Sequence, residues 1–220
     1  MPNEEPSHTR RSTRYGTLPS KHTTAVESTI DCYSIKREAP LTDAIDDLGS
    51  LIRRIEREIG TAESGLPEEL FLFVSRVTPL VNVDLLIQDD RNRTLLTWRS
   101  DRFYGPGWHI PGGIIRYKER AAQRIHAVAL RELSAQVEFG PAPVLIYEVV
   151  RANSRDRGHF ISLLYRCRLM SPLDERQRFT PSAPLPGQWM WHEHCPQELI
   201  AEHQPCAALI GLTKSATAPP

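Results

Sequence analysis

The spacing of apolar positions changes twice along this chain and divides it into parts. Leu41, Ile45, Leu48, Ile52, Ile55 and Ile59 recur at alternating steps of four and three residues, the spacing of one helix face. A helix is therefore expected over 41–60. Isoleucine mostly at one heptad position and leucine mostly at the other suits a parallel pair of such helices, hence a homodimer. The alternative is that the stripe packs on the domain that follows. After a linker at 61–65 the pattern shortens, and 70–74, 80–87 and 94–99 read as strands, the last two joined by a polar turn at 89–93. An extended segment from Trp108 to Gly113 leads through a short loop to a helix expected from Glu119 to about Leu133. Strands follow over 136–139, 144–150 (a buried one), 159–169 and 188–191, with a Pro-rich connection at 172–186 and a last helix at 196–203. Strands on both sides of one central helix predict a mixed sheet with helices packed on it, an α+β sandwich.

Residues 1–40 are rich in Ser, Thr, Arg and Pro. They carry too little apolar surface to repay their ordering entropy, so they are expected to be mobile, as is the tail at 213–220. A folded domain over 67–212 remains. For 220 residues, one catalytic domain with an appendage is the expected layout. The 27 basic and 27 acidic residues give a net charge of +0. No general pull toward nucleic acid or an anionic membrane follows, so any phosphate binding has to be local. No run approaches the ~20 apolar residues of a bilayer span. The polar start (Pro2, Asn3, Glu4, Glu5) is unlike a secretory signal. Cys32, Cys167, Cys195 and Cys206 show no CxxC spacing and read as free thiols of a reducing cytoplasm. A soluble cytoplasmic protein is expected.

The chemistry concentrates at Pro111-Gly112-Gly113. Paired glycines let backbone approach a ligand closely. A turn carbonyl together with the Glu132 carboxylate makes an oxygen site suited to Mg²⁺ or Mn²⁺. Asp84 stands alone among apolar strand neighbours, and a buried carboxylate there needs a partner.

Gly113, Glu119 and Glu132 resemble the box of the Nudix hydrolase family: Gly, five residues, Glu, seven residues, Arg-Glu, an apolar residue, any residue, Glu-Glu, any residue, Gly. In this register Ala127 and Val128 stand at Arg-Glu, Arg131 and Glu132 at Glu-Glu, and Ser134 at the last Gly. Positions 128, 131 and 132 share one helix face, so one of its metal-facing carboxylates survives. Another register, with Arg131-Glu132-Leu133 as the Arg-Glu-apolar element, would run the helix into 136–139, which alternates like a strand. The broken box is similar to that of the GDP-mannose mannosyl hydrolases, and the likeness extends upstream through Val77 to Val81, Asp84 and Arg99 to Trp108.

The resemblance implies a Nudix-type α/β/α sandwich behind an N-terminal amphipathic helix. It implies hydrolysis of a nucleoside diphosphate sugar to free sugar and nucleoside diphosphate, with Mg²⁺ or Mn²⁺. It implies Gly112 and Glu132 as metal ligands, Asp84 on the substrate side, and Arg99 assisting departure of the diphosphate. Arg102 and Trp108 are further substrate-side candidates, Trp108 by stacking, and Gln188 is a weak metal candidate. Glu119 is read as structural, a carboxylate favoured at a helix start. The branch's basic residue after the Gly pair is Ile114 here, and its Gln-His pair falls on Leu185-Pro186. The general base thus stays open among His192, His194 and His109. Two other readings also stay open: a Nudix pyrophosphatase, and a Nudix-fold binding module that has lost catalysis.

Overall fold

The computed structural model describes residues 47–61 and 65–211. The segment 1–40, the start of the first expected helix with Leu41 and Ile45, Cys32, and the tail 213–220 lie outside the described residues. Helix α1 (Leu48–Ile59) is capped by Asp47, whose side chain accepts from the Ser50 N–H at 2.8 Å, and it ends at Gly60 with φ 62°. Its stripe of Leu48, Leu51, Ile52 and Ile55 is exposed. Residues 70–74, expected as a strand, instead lie in α2 (Glu68–Val77). Pro67 presets the first helical turn, and Glu68 and Glu69 complement its dipole. A five-residue apolar run is too short for its period to separate helix from strand. Phe71 packs with Leu80, Tyr104 and Phe160.

The main sheet is mixed. Strand β1 (Leu80–Ile87) lies parallel to β7 (His159–Leu169) and antiparallel to β4 (Gly112–Ile114). The far side of β7 is shared by β5 (Val137–Phe139) and β6 (Leu145–Val150), both antiparallel to it. A second, antiparallel sheet sets β2 (Thr94–Arg99) between β3 (Gly107–His109) and β8 (Trp189–His192). Helix α3 (Ala121–Leu133) presses Ile125, Val128, Ala129 and Leu133 against Val83, Leu85 and Tyr165. Full burial of each large apolar side chain there contributes roughly 1.5–3 kcal/mol. This is the α+β class read from the sequence.

Three elements differ from expectation in extent or burial. Glu119 precedes α3, which begins at Ala121 once the Gln123 side chain has accepted from the Arg120 N–H at 2.8 Å. Strand β6 is buried only at Tyr147, with Ile146 and Val150 facing outward, because an antiparallel strand at the sheet margin covers one face only. The expected last helix at 196–203 is a 3-10 segment further on (Ala201–Leu209), in which Pro205 removes a donor and His203 and Cys206 turn inward. Helix α3 stops at Leu133. Ser134 takes a left-handed φ of 50°, its N–H reaches Leu130 O at 3.0 Å, and the Ala135 N–H reaches Ala129 O at 3.2 Å. That closure is the usual place for glycine, which is where the preferred register sets the last Gly of the box.

Candidate active site

The site is built on the pairing of β1 with β4. The Leu85 N–H bonds Pro111 O and the Ile115 N–H bonds Val81 O, each at 2.9 Å. Asp84 and Gly112, which face each other between them, are therefore a non-hydrogen-bonded pair. The Gly112 carbonyl points away from β1, off the outer edge of the sheet. A Cβ on Gly112 would stand 2.3 Å from Asp84 Oδ1, so glycine is required by the carboxylate beside it. Asp84 is fully buried. Its Oδ1 accepts from Asn82 Nδ2 and its Oδ2 from the Tyr147 hydroxyl, both at 2.7 Å. Burial pushes this carboxyl up to about 6, against the opposing hydrogen bonds of Tyr147 and Ser162.

Two histidines stack above it, with ring centroids 6.1 Å apart. His203 Nδ1 accepts from the Ile110 N–H at 2.8 Å, which leaves Nε2 as the protonated nitrogen of the neutral ring. That nitrogen stands 4.0 Å from Asp84 Oδ1. Burial, then the charges of His109 and Arg99, hold the His203 imidazole well below its ordinary value. His109 Nδ1 lies 2.9 Å from the Thr97 carbonyl oxygen, and its Nε2 lies 3.6 Å from Glu132 Oε2. The other oxygen of Glu132 takes Arg131 Nη2 at 3.2 Å. Burial raises the Glu132 carboxyl, but His109 and Arg131 outweigh it and the net displacement is downward. Asn82, Tyr147, Ser162 and His203 were not among the sequence candidates. For Asn82 a signal existed, since residues two apart in a strand share a face with Asp84. The others come from distant elements.

Asp84, His109, Gly112 and Glu132 line a cleft of about 1400 Å³. Among the described residues it presents seven cationic side chains (Arg99, Arg116, Lys118, Arg124, Arg131, Arg157 and Arg176) against four carboxylates (Asp84, Asp101, Glu132 and Glu202). Arg99 donates from Nε to Asp101 Oδ2 at 2.6 Å and lies 4.3 Å over the Tyr104 ring. Gln188 also lines the cleft, but its side-chain oxygen accepts from the Leu185 N–H at 2.9 Å and fastens the loop. Other candidates fall elsewhere. Arg102 is not in the cleft lining and pairs with Glu68. Trp108 is buried in an aromatic cluster with Trp98, Phe179 and His192, and Trp98 lines the cleft instead. His192 is buried there, where lost hydration pushes its imidazole down to about 4. His194 is exposed, and neither residue lines the cleft. Of the three candidate bases, His109 is the one in it.

Glu119 closes the loop before α3. Its Oε2 accepts from the Arg116 N–H at 2.9 Å and from Arg124 Nε at 2.8 Å, while Arg124 Nη2 lies 2.7 Å away but off the line of a hydrogen bond. The arginine of the box falls on Ala127; Arg124, one turn earlier, supplies a buried guanidinium to Glu119.

Turn, helix and mixed sheet together define a Nudix domain. A profile described as the NUDIX domain matches residues 78–198, and the chain belongs to that family. Solved structures similar to it include a NUDIX hydrolase from Nitrosomonas europaea at 20% identity, covering 52% of this chain and 72% of that one with a TM-score of 0.40. They include the E. coli ORF135 protein at 18% identity, covering 60% and 88%, with a TM-score of 0.44. A possible asymmetric diadenosine tetraphosphate hydrolase from Jonesia denitrificans is 17% identical, covering 56% and 86%, with a TM-score of 0.44.

Nudix hydrolases generally use divalent metals such as Mg²⁺. Among the described residues no group of three or more His, Cys, Asp or Glu is placed to hold a metal. On the helix face of the box, Val128 is buried in the core and Arg131 sits on Glu132. Among the described residues the Glu132 carboxylate and Gly112, whose carbonyl points off the sheet edge, both line the cleft. Oxygen donors of this kind suit Mg²⁺, an ion usually held by one or two carboxylates plus substrate phosphates and water. No helix among the described residues is long and apolar enough to cross a membrane.

Proposed function

We propose that the chain is a Mg²⁺- or Mn²⁺-dependent Nudix hydrolase of a nucleoside diphosphate sugar, GDP-mannose-like, which releases free sugar and nucleoside diphosphate. The observation that supports it most is the pairing of a single metal-facing carboxylate, Glu132, with a cleft rich in guanidinium groups. Attack on phosphorus draws on several ions held by several carboxylates. Displacement at the anomeric carbon needs chiefly that the leaving diphosphate be neutralised, and arginines do that through charge-assisted hydrogen bonds.

In this reading water attacks the anomeric carbon, the carbon–oxygen bond to the diphosphate breaks, and the electron pair leaves with the diphosphate. His109 takes the proton of the water at Nε2, with its ring oriented by the Thr97 carbonyl at Nδ1. Arg99 faces the departing diphosphate. Asp84, with both oxygens already occupied, sets the floor beneath Gly112. Glu132 and the Gly112 carbonyl would hold the cation, whose chemistry when bound is to neutralise phosphate charge. The exposed stripe of α1 supports a homodimer.

A second reading, a nucleotide-binding module without turnover, is favoured by Arg131 at 3.2 Å from Glu132, a cation on the expected metal ligand. The test is turnover of a nucleoside diphosphate sugar panel with Mg²⁺ or Mn²⁺, wild type against Glu132→Gln. Free sugar from the wild type and its loss in the variant supports the glycosyl reading. Nucleoside monophosphate with sugar phosphate would mean a pyrophosphatase instead, and nucleotide binding without any product would mean the module.

A further inference from the structure

Arg157 lies in the loop between β6 and β7 and lines the cleft. Its backbone is held in the left-handed region at φ 53°, a conformation that a side chain with a Cβ adopts at a cost and that recurs where a group must be aimed. Both of its backbone polar groups are fastened. The N–H donates to Ser75 Oγ at 3.0 Å, and the carbonyl accepts from the Tyr104 hydroxyl at 3.3 Å. The guanidinium is thereby laid against three rings, 5.0 Å from the centroids of Phe103 and Tyr104 and 5.7 Å from that of Phe71.

Two other guanidiniums share the Tyr104 ring, Arg99 at 4.3 Å and Arg151 at 5.0 Å. Each has its own carboxylate, Asp101 at 2.6 Å and Glu202 at 3.1 Å. Arg157 pairs with no carboxylate among the described residues, and its Nε is buried without a hydrogen-bond partner. Burial lowers its affinity for the proton, yet a guanidinium stays charged in proteins. Ring faces offset part of its lost hydration, and Asp101, already held by Arg99, acts on it only at a distance and against the like charges of Arg99 and Arg151. A half-buried guanidinium whose Nε finds no acceptor is suited to an anion.

We infer that Arg157 is an anion-binding residue of this cleft, held in an aromatic cradle to grip a phosphoryl group of the ligand. Its guanidinium is planar, and a phosphoryl group accepts two parallel N–H bonds from such a fork. This rests on the nucleoside diphosphate reading for the source of the phosphate, but binding does not require turnover.

The test is calorimetry with inorganic pyrophosphate and no divalent metal, on the full chain. Wild type binds, Arg157→Gln binds at least about tenfold more weakly, Arg157→Lys falls between, and Arg168→Gln, outside the cleft, binds like wild type. Equal affinity in wild type and Arg157→Gln, or no binding by the wild type, overturns the inference. Phenylglyoxal labelling of unsubstituted protein, read by peptide mass spectrometry, covers a folding failure of the variant. Pyrophosphate should shield Arg157 by severalfold, and unchanged labelling overturns the inference equally. Pyrophosphate held through Arg157 with no product from any sugar nucleotide would keep this site and remove the hydrolase reading. Full turnover with Arg157→Gln binding unchanged would do the reverse.

Discussion

Gly112 lies across the ladder from Asp84 so closely that a methyl group on it would stand 2.3 Å from the carboxylate. The glycine of the turn and the buried acid of β1 are thus one unit. The space that the acid fills is space a side chain at 112 would need. Gly112→Ala is expected to destabilise by about 2 kcal/mol, as overpacking does, with a matching fall in thermal midpoint. A midpoint within a degree of wild type would show that the strand pair can open without cost.

The raised carboxyl of Asp84 makes a signed prediction. Its folded value is about 6 against 3.8 for the free group, so the folded state binds the proton more tightly than the unfolded one. The stabilisation from this group is complete below about pH 4 and is lost as pH rises through about 6, a change of about 3 kcal/mol. Denaturant titrations of wild type and Asp84→Asn between pH 4 and 7 should diverge by that trend, with the variant the flatter of the two. Parallel curves would remove Asp84 as the source.

Arg124 depends on Glu119. Glu119→Gln leaves a buried guanidinium without its counter-charge and is expected to cost about 3 kcal/mol. Arg124→Lys should destabilise as well, because a flexible ammonium group cannot present the planar Nε–H that the Glu119 carboxylate accepts. Urea unfolding of both single variants checks this, and a loss under 1 kcal/mol in Glu119→Gln would count against it.

Ser134 holds the left-handed end of α3 with a side chain that has a Cβ. Ser134→Gly is expected to stabilise by roughly 0.5–1 kcal/mol, since glycine adopts that geometry without strain. A lower unfolding midpoint in the variant would mean that the hydroxyl has a role of its own.

Legibility followed sequence distance. Strands β1, β2 and β7, helix α3 and its register could be read because their alternation, period and closing residue are local properties. Residues 70–74 have the texture of a strand but form part of a helix, because five apolar residues fit either period, and the deciding Pro67 and paired glutamates lie before them. The spacing of the glycine turn and Glu132 singles out residues that the fold brings to one cleft. His203, Tyr147 and Arg157 are not singled out, because nothing adjacent to them marks them. Their contacts arise when the 3-10 segment, β6 and the β6–β7 loop fold over Asp84 and Tyr104. Trp108 and His192 look like ligand contacts as letters, but the second sheet turns them toward each other.

The parallel register of β1 with β7 joins positions about eighty residues apart, Leu80 to Phe160 and Asp84 to Leu164. Such pairings are reached late in folding, because a long loop has to close before any contact rewards it. Asp84 gains Tyr147 and Ser162 only after that closure. A chain arrested with α3 and the antiparallel β2–β3 and β2–β8 pairs already formed would show helix and strand signals yet lack the cleft. Recovery of pyrophosphate binding during refolding should therefore trail recovery of secondary structure, making ligand capture a clock for the final joining of the two halves of the domain.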